Sequence, residues 1–237
     1  MTLKELILHF SHLYGPRNRL FLPGLVHRVA FLNIAIGDLQ DAIRKHANGA
    51  HMGTMLARVV SRTFCITEYF GDLPLEVVMC RKYPQAKCTY CHKLPCRCPK
   101  QRPDYVLEPE PSDTQLNWSL TEWCEHFNNV YGERNRERGI ENVLNRLFKE
   151  IAELLSLSMK LPAGFGKATA QEIEEEFAKE LADTLAWTIA VANILGIDLE
   201  AEVLKRYENG CWNCKQNPCS CTLFSMEPVE GAQTQLF

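Results

Sequence analysis

The 237-residue chain has no apolar run approaching the ~20 residues that a membrane-spanning helix needs. Its opening, MTLKELILHFSHLYG, carries an apolar stripe but also Lys4, Glu5 and two histidines. It lacks the basic start and small-residue cleavage site of a signal peptide. No membrane partner is expected, and a cytoplasmic location is. No stretch alternates apolar and polar residues convincingly with period two, which argues against a sheet. No His–Asp arrangement accompanies Cys65, Cys80 or Cys124, so these three read as core or surface residues, not nucleophiles. What is present is ordinary: 46% hydrophobic and 23% charged residues. The length suits one large domain or two of about 110 residues, either able to bury a core.

The net charge of -3 hides an asymmetry. Residues 1–100 hold 14 Lys/Arg against 6 Asp/Glu, and residues 101–237 hold 12 against 23. A basic half attracts phosphates or nucleic acid, or pairs with the acidic half of its own chain.

The chain repeats itself. Thr2–Arg19 (TLKELILHFSHLYGPRNR) aligns without a gap on Ser119–Arg136 (SLTEWCEHFNNVYGERNR). Leu56-Ala57 and Thr63 then correspond to Phe177-Ala178 and Thr184, and both halves end in one cysteine pattern. Matches kept in this order indicate a tandem duplication of about 120 residues. The expected organisation is a first repeat over 1–98, a linker over 99–117 rich in proline, a second repeat over 118–222 and a loose tail over 223–237.

Apolar spacing within each copy is helical. Ile140, Val143, Leu144, Leu147, Phe148, Ile151, Leu154 and Leu155 follow the i, i+3, i+4, i+7 template. A short helix over 120–131 precedes it, and Glu172–Leu195 reads as a long central buried helix. Gly196 ends that helix, and Asp198 caps a last one running through Tyr207. The fold class is all-α, two tandem copies of a small helix bundle.

Glu150-x-x-Glu153 and Glu180-x-x-Asp183 are the candidate site. Three-residue spacing puts both members of a pair on one helix face, flanking or embedded in apolar residues. Four carboxylates at the edge of a core repel one another unless basic partners or a divalent cation compensate them. Mg²⁺ or Mn²⁺ suits hard oxygen ligands, and its usual companion is a phosphate chain.

The segments KEIAELL, EEFAKELADTLAW and ILGIDLEAEVLKRY resemble the MazG-like all-α nucleoside triphosphate pyrophosphohydrolases. That family's signature is Glu-x-x-Glu followed by Glu-x-x-Asp, and the match covers residues 119–208. The resemblance implies a bundle acting as a dimer or higher oligomer. It implies Mg²⁺-dependent cleavage of a nucleoside triphosphate between its α and β phosphates, with Glu150, Glu153, Glu180 and Asp183 as metal ligands. One carboxylate of the first pair then orients or deprotonates the attacking water. Lys205, Arg206, Arg134 and Arg136 are candidate triphosphate contacts or exposed helix-end charges. Trp187 is either a base-stacking residue or core, and Asn193 is a candidate substrate contact.

The first copy has lost this set. Ala35 stands opposite Glu150, Asp38 opposite Glu153, Val59 opposite Glu180 and Arg62 opposite Asp183. If the family site lies at a subunit interface, the first copy can stand in for a second subunit, a pseudo-dimer in one chain. Arg58, Arg62 or Arg17-Asn18-Arg19 then become candidates to reach the triphosphate.

Cys88, Cys91, Cys96 and Cys98 share their spacing with Cys211, Cys214, Cys219 and Cys221. Four thiolates within eleven residues suit one structural Zn²⁺ per copy, with disulfides or an iron–sulfur cluster as alternatives. A reading of another class is a zinc-containing nucleotide- or nucleic-acid-binding protein on a retired enzyme scaffold. The intact acids of the second copy speak against it, as does the sparse aromatic content of the knots, limited to Tyr90 and Trp212.

Overall fold

A computed structural model describes residues 1–71, 73–98, 111–163 and 169–222. Residues 99–110 of the expected linker and the tail from 223 onward lie outside the described residues. The described residues contain helices and no strand, in accord with an all-α class. The N-terminal half supplies α1 (Leu3–Phe21), α2 (Leu25–Arg44), α3 (Gly49–Thr67) and α4 (Leu75–Lys82). A four-residue helix, α5 (Asp113–Leu116), follows, and then α6 (Leu120–Arg138), α7 (Ile140–Ala163), α8 (Ala170–Leu195) and α9 (Leu199–Tyr207).

The sequence explains most helix ends. Thr2 and Ser119 cap α1 and α6 with the same capping box, closed by Glu5 and Glu122, and Thr169 does so for α8 with Glu172. Gly196 takes a left-handed φ of 66° to end α8, and Asp198 caps α9. The expected helix 120–131 extends to Arg138, because Gly132 does not stop it and Gly139, at φ 77°, does. Part of the linker span is also ordered: Ser112 caps α5, and the buried Gln115 donates to the Tyr83 carbonyl at 2.6 Å.

One hydrophobic core takes side chains from both halves, centred on Phe10, Phe64, Trp123 and Phe177. Within each half the helices pair alike: α2 on α3 and α7 on α8, with α1 against α3 and α6 against α8. Between the halves, α2 meets α7 and α3 meets α8. The fourth helices cross over, α4 onto α8 and α9 onto α3. Thr2 and Ser119, which the alignment pairs, form an antiparallel bridge with each other. The terminal loops cross as well. Cys96 N donates to Val130 O of α6, and Cys219 N donates to Leu13 O of α1, each at 2.8 Å. Thr63 and Thr184 each hydrogen-bond back to the carbonyl four residues earlier, of Val59 and Glu180 respectively. Among the described residues no single helix is long and apolar enough to cross a membrane.

Candidate functional site

The apolar stripe of α7 (Val143, Leu147, Ile151, Leu154) is buried, which draws Glu150 in with it. Glu150 is 5% exposed. Glu180 comes from the facing side of α8, the most apolar helix of the second half. Oxygens of Glu150, Glu153 and Glu180 lie within 4.8 Å of one another, a spacing that can hold a cation. Glu180 Oε2 is buried without a hydrogen-bond partner, an orphaned acceptor aimed into an acidic cluster.

The electrostatics reflect this crowding. Burial, with a hydrogen bond shared with Glu150, pushes the Glu180 carboxyl up to about 8. Burial also raises Glu150. For Glu153 burial acts upward too, but hydrogen bonds from Lys149 and Glu150 outweigh it and hold the group below the usual range. Lys149 Nζ lies 2.6 Å from both Glu153 oxygens and 3.7 Å from Glu150 Oε2. Its ammonium marks where positive charge is wanted.

Asp183 stands apart from this trio. Tyr83 Oη donates to it, and Lys82 Nζ sits 2.8 Å away while also donating to the Lys179 carbonyl at 3.0 Å. Burial and then the Asp183 charge raise the Tyr83 hydroxyl well above its ordinary range. Both partners come from the end of α4, in the N-terminal half.

The acids line a cleft of about 420 Å³. Lys82, Arg134, Arg138, Arg146 and Lys149 line it too, Lys82 and Lys149 in ion pairs with the acids, and Tyr90 and Trp187 are aromatic walls. Of the sequence candidates, Arg134 and Trp187 therefore join the four acids. The others do not line this cleft. Arg136 donates to Asn128, Asn193 donates to the Cys124 carbonyl and Lys205 pairs with Glu202 at 3.4 Å. Arg206 lies over the Trp212 ring, 4.5 Å from its centroid.

The reason is the crossover. Lys82-Tyr83 aligns with Arg206-Tyr207, and each pair is delivered to the opposite half. Tyr83 packs edge-on against Phe127 at 4.8 Å, and Tyr207 against Phe10 at 5.1 Å. Asp183 of the second half is thus bonded by Lys82 and Tyr83 of the first. Sequence reasoning missed Lys82 and Tyr83, although the alignment with Arg206 was a signal for them. The first half's arginines do not reach the cleft. Arg58 pairs with Asp38 at 3.1 Å, Arg62 covers the Phe31 ring, Arg19 pairs with Glu68, and Arg17 donates to Asn18. Ala35 and Val59, at the places of Glu150 and Glu180, are buried core.

The cysteine knots are two tight clusters, each with its four sulfurs within 4.8 Å of one another. The Sγ separations are 3.6 Å for Cys88–Cys98 and 3.9 Å for both Cys211–Cys221 and Cys214–Cys219. A tetrahedral zinc with ~2.3 Å bonds sets its sulfurs about 3.8 Å apart, so both sets can hold zinc. All eleven cysteines are unbridged thiols. Cys65 and Cys80 are buried in helices and Cys124 is half-buried. In comparison with known proteins, no family model, no curated protein and no solved structure matches this chain.

Proposed function

We propose that the protein is a Mg²⁺-dependent nucleoside triphosphate pyrophosphohydrolase of the MazG-like kind, built as a tandem pseudo-dimer whose second half keeps the acids. The observation that carries this reading is the cleft itself: clustered carboxylates, one with an orphaned buried oxygen, sharing a cavity of about 420 Å³ with five cations. That volume suits a nucleotide-sized ligand, and the cations suit its phosphate chain. The pseudo-dimer is supported by the equivalent-residue bridge Thr2–Ser119 and by the reciprocal crossing of α4 and α9.

Glu150, Glu153 and Glu180 are the residues to hold the metal, with Asp183 beside them. Bound there, Mg²⁺ would neutralise phosphate oxygens and lower the pKa of water. A carboxylate of the first pair takes a proton from water as the water oxygen bonds to the α-phosphorus. The α–β anhydride bond breaks, and pyrophosphate leaves with the bridging oxygen. Lys82, Arg134, Arg138, Arg146 and Lys149 neutralise the charge on substrate and leaving group. Lys82 and Tyr83 also fix Asp183. Tyr90 and Trp187 supply flat surfaces for a base.

The test is a panel of NTPs and dNTPs incubated with and without added Mg²⁺, with products resolved by anion exchange. Metal is omitted rather than chelated, since a chelator also attacks the zinc sites. Monophosphate and pyrophosphate that need Mg²⁺ and vanish in Glu150→Gln and Asp183→Asn are expected. Nucleotide binding without turnover by the intact protein overturns the enzyme reading and favours a binding module on a retired scaffold.

A further inference from the structure

The two cysteine knots are alike in sequence but not in surroundings. In the first, Cys88 and Cys91 bracket Thr89 and Tyr90. Tyr90 lines the cleft. Thr89 Oγ1 donates to the Lys82 carbonyl at 2.5 Å, pinning the main chain from which the Asp183-binding ammonium projects. Thr89 N donates to Tyr131 Oη at 3.4 Å, and Tyr131 also borders the cleft. On the other side of the knot, Arg134 Nη1 donates to Cys96 Sγ at 3.3 Å. Three cleft residues that contact a nucleotide in the reading above (Lys82, Tyr90 and Arg134) are therefore held by one metal-binding loop.

The second knot makes its contacts away from the cleft: its Trp212 ring packs against the Arg206 guanidinium, 4.5 Å from the centroid. Cys219 N donates to Leu13 O, and Tyr14 Oη donates to Cys211 Sγ at 3.6 Å. This knot rests on the half whose acids have become Ala35, Val59 and Arg62, and no residue of 211–221 lines the cleft.

We propose that zinc at Cys88, Cys91, Cys96 and Cys98 is a working part of the nucleotide site, whereas zinc at Cys211, Cys214, Cys219 and Cys221 only supports the fold. Four thiolates around Zn²⁺ leave a net charge of about -2, which holds the Arg134 guanidinium in place. The closed loop fixes Tyr90 and, through Thr89, the Lys82 backbone. Losing this metal releases all three contacts together. Thr89 borders the cleft itself and positions Lys82 through the main chain. The inference rests on the nucleotide reading of the cleft.

The test uses the full chain and binding, not turnover, with the α,β-methylene analogues of ATP, GTP, CTP and UTP in Mg²⁺ as probes. Zinc content and thermal midpoint are recorded alongside. Cys91→Ser weakens the best analogue by about tenfold or more, the loss of a charged contact. Cys214→Ser lowers the melting point comparably but leaves Kd within about twofold. Thr89→Val keeps both zincs and the melting point and weakens binding about fivefold, a neutral hydrogen bond's worth. A zinc-loaded Thr89→Val that binds as wild type overturns the proposal, as does an equal loss in Cys91→Ser and Cys214→Ser. Failure of the intact protein to bind any analogue overturns the nucleotide reading, and this inference with it.

Discussion

Replacing Glu180 with Gln should stabilise the metal-free protein while removing its response to Mg²⁺. Glu180 carries a buried, unpartnered oxygen beside the buried Glu150. The amide removes the negative charge that burial beside Glu150 disfavours and can donate to Glu150, a gain of about 1–3 kcal/mol. Part of the residue remains exposed, so screening reduces the recoverable gain to about 1–2 kcal/mol. For a chain of this size that is a rise of about 2–8 °C in Tm. The sign with pH is fixed. The folded-state pKa, about 8, lies above the ordinary value of 4.5. The folded state therefore retains a proton that the unfolded state releases, and stability falls as pH rises from about 4.5 through about 8. The benefit of Gln is accordingly largest near pH 8 and vanishes near pH 4.5. Mg²⁺ at a hundredfold its Kd stabilises wild type by about 2.7 kcal/mol, and Glu180→Gln loses most of this. Differential scanning calorimetry with zinc retained and Mg²⁺ varied reads both effects. A variant that melts below wild type at pH 8 without Mg²⁺, and shifts equally with Mg²⁺, would refute the idea of a strained ion site.

Tyr83→Phe should lower kcat/KM about tenfold and Lys82→Met about a hundredfold, because both hold Asp183 from the other half of the chain; melting curves run alongside separate this from unfolding. Burial lowers the His126 pKa to about 4 among Trp118, Trp123 and Phe127. The unfolded state then binds the extra proton between pH 6.5 and 4, so stability is complete above that window and about 3 kcal/mol is lost across it. Compared with His126→Phe, wild type should lose ground in Tm steadily over that range, and parallel curves would contradict the assignment. Elemental analysis should find two zinc ions per chain and no iron, and stripping them with a chromogenic chelator should lower the melting point.

The carboxylates were legible in the sequence because their helix is amphipathic and their spacing is one turn. Once Val143, Leu147, Ile151 and Leu154 are committed to a core, Glu150 has to border it. Asp183 was named in the same set, yet its immediate partners are a lysine and a tyrosine, since the α8 turn aims it at the α4 end and not at the trio. The cation candidates fared unevenly. Arg134, on α6, lines the cleft, while Lys205 and Arg206, inside the segment ILGIDLEAEVLKRY, do not.

Sequence by itself determined the helices, the Gly196 and Asp198 ends, the metal-ligating spacing of both knots and the absence of an acid from three of the four aligned positions of the first half. These are local properties, written in periods of three to four residues and in loops of eleven. Tertiary structure alone decided that Lys82 and Tyr83 of the first half meet Asp183 of the second, and which of two equally spaced knots borders the cleft. Helical periodicity records that a face is buried but not against what. That choice is made where α4 and α9 exchange places across the shared core.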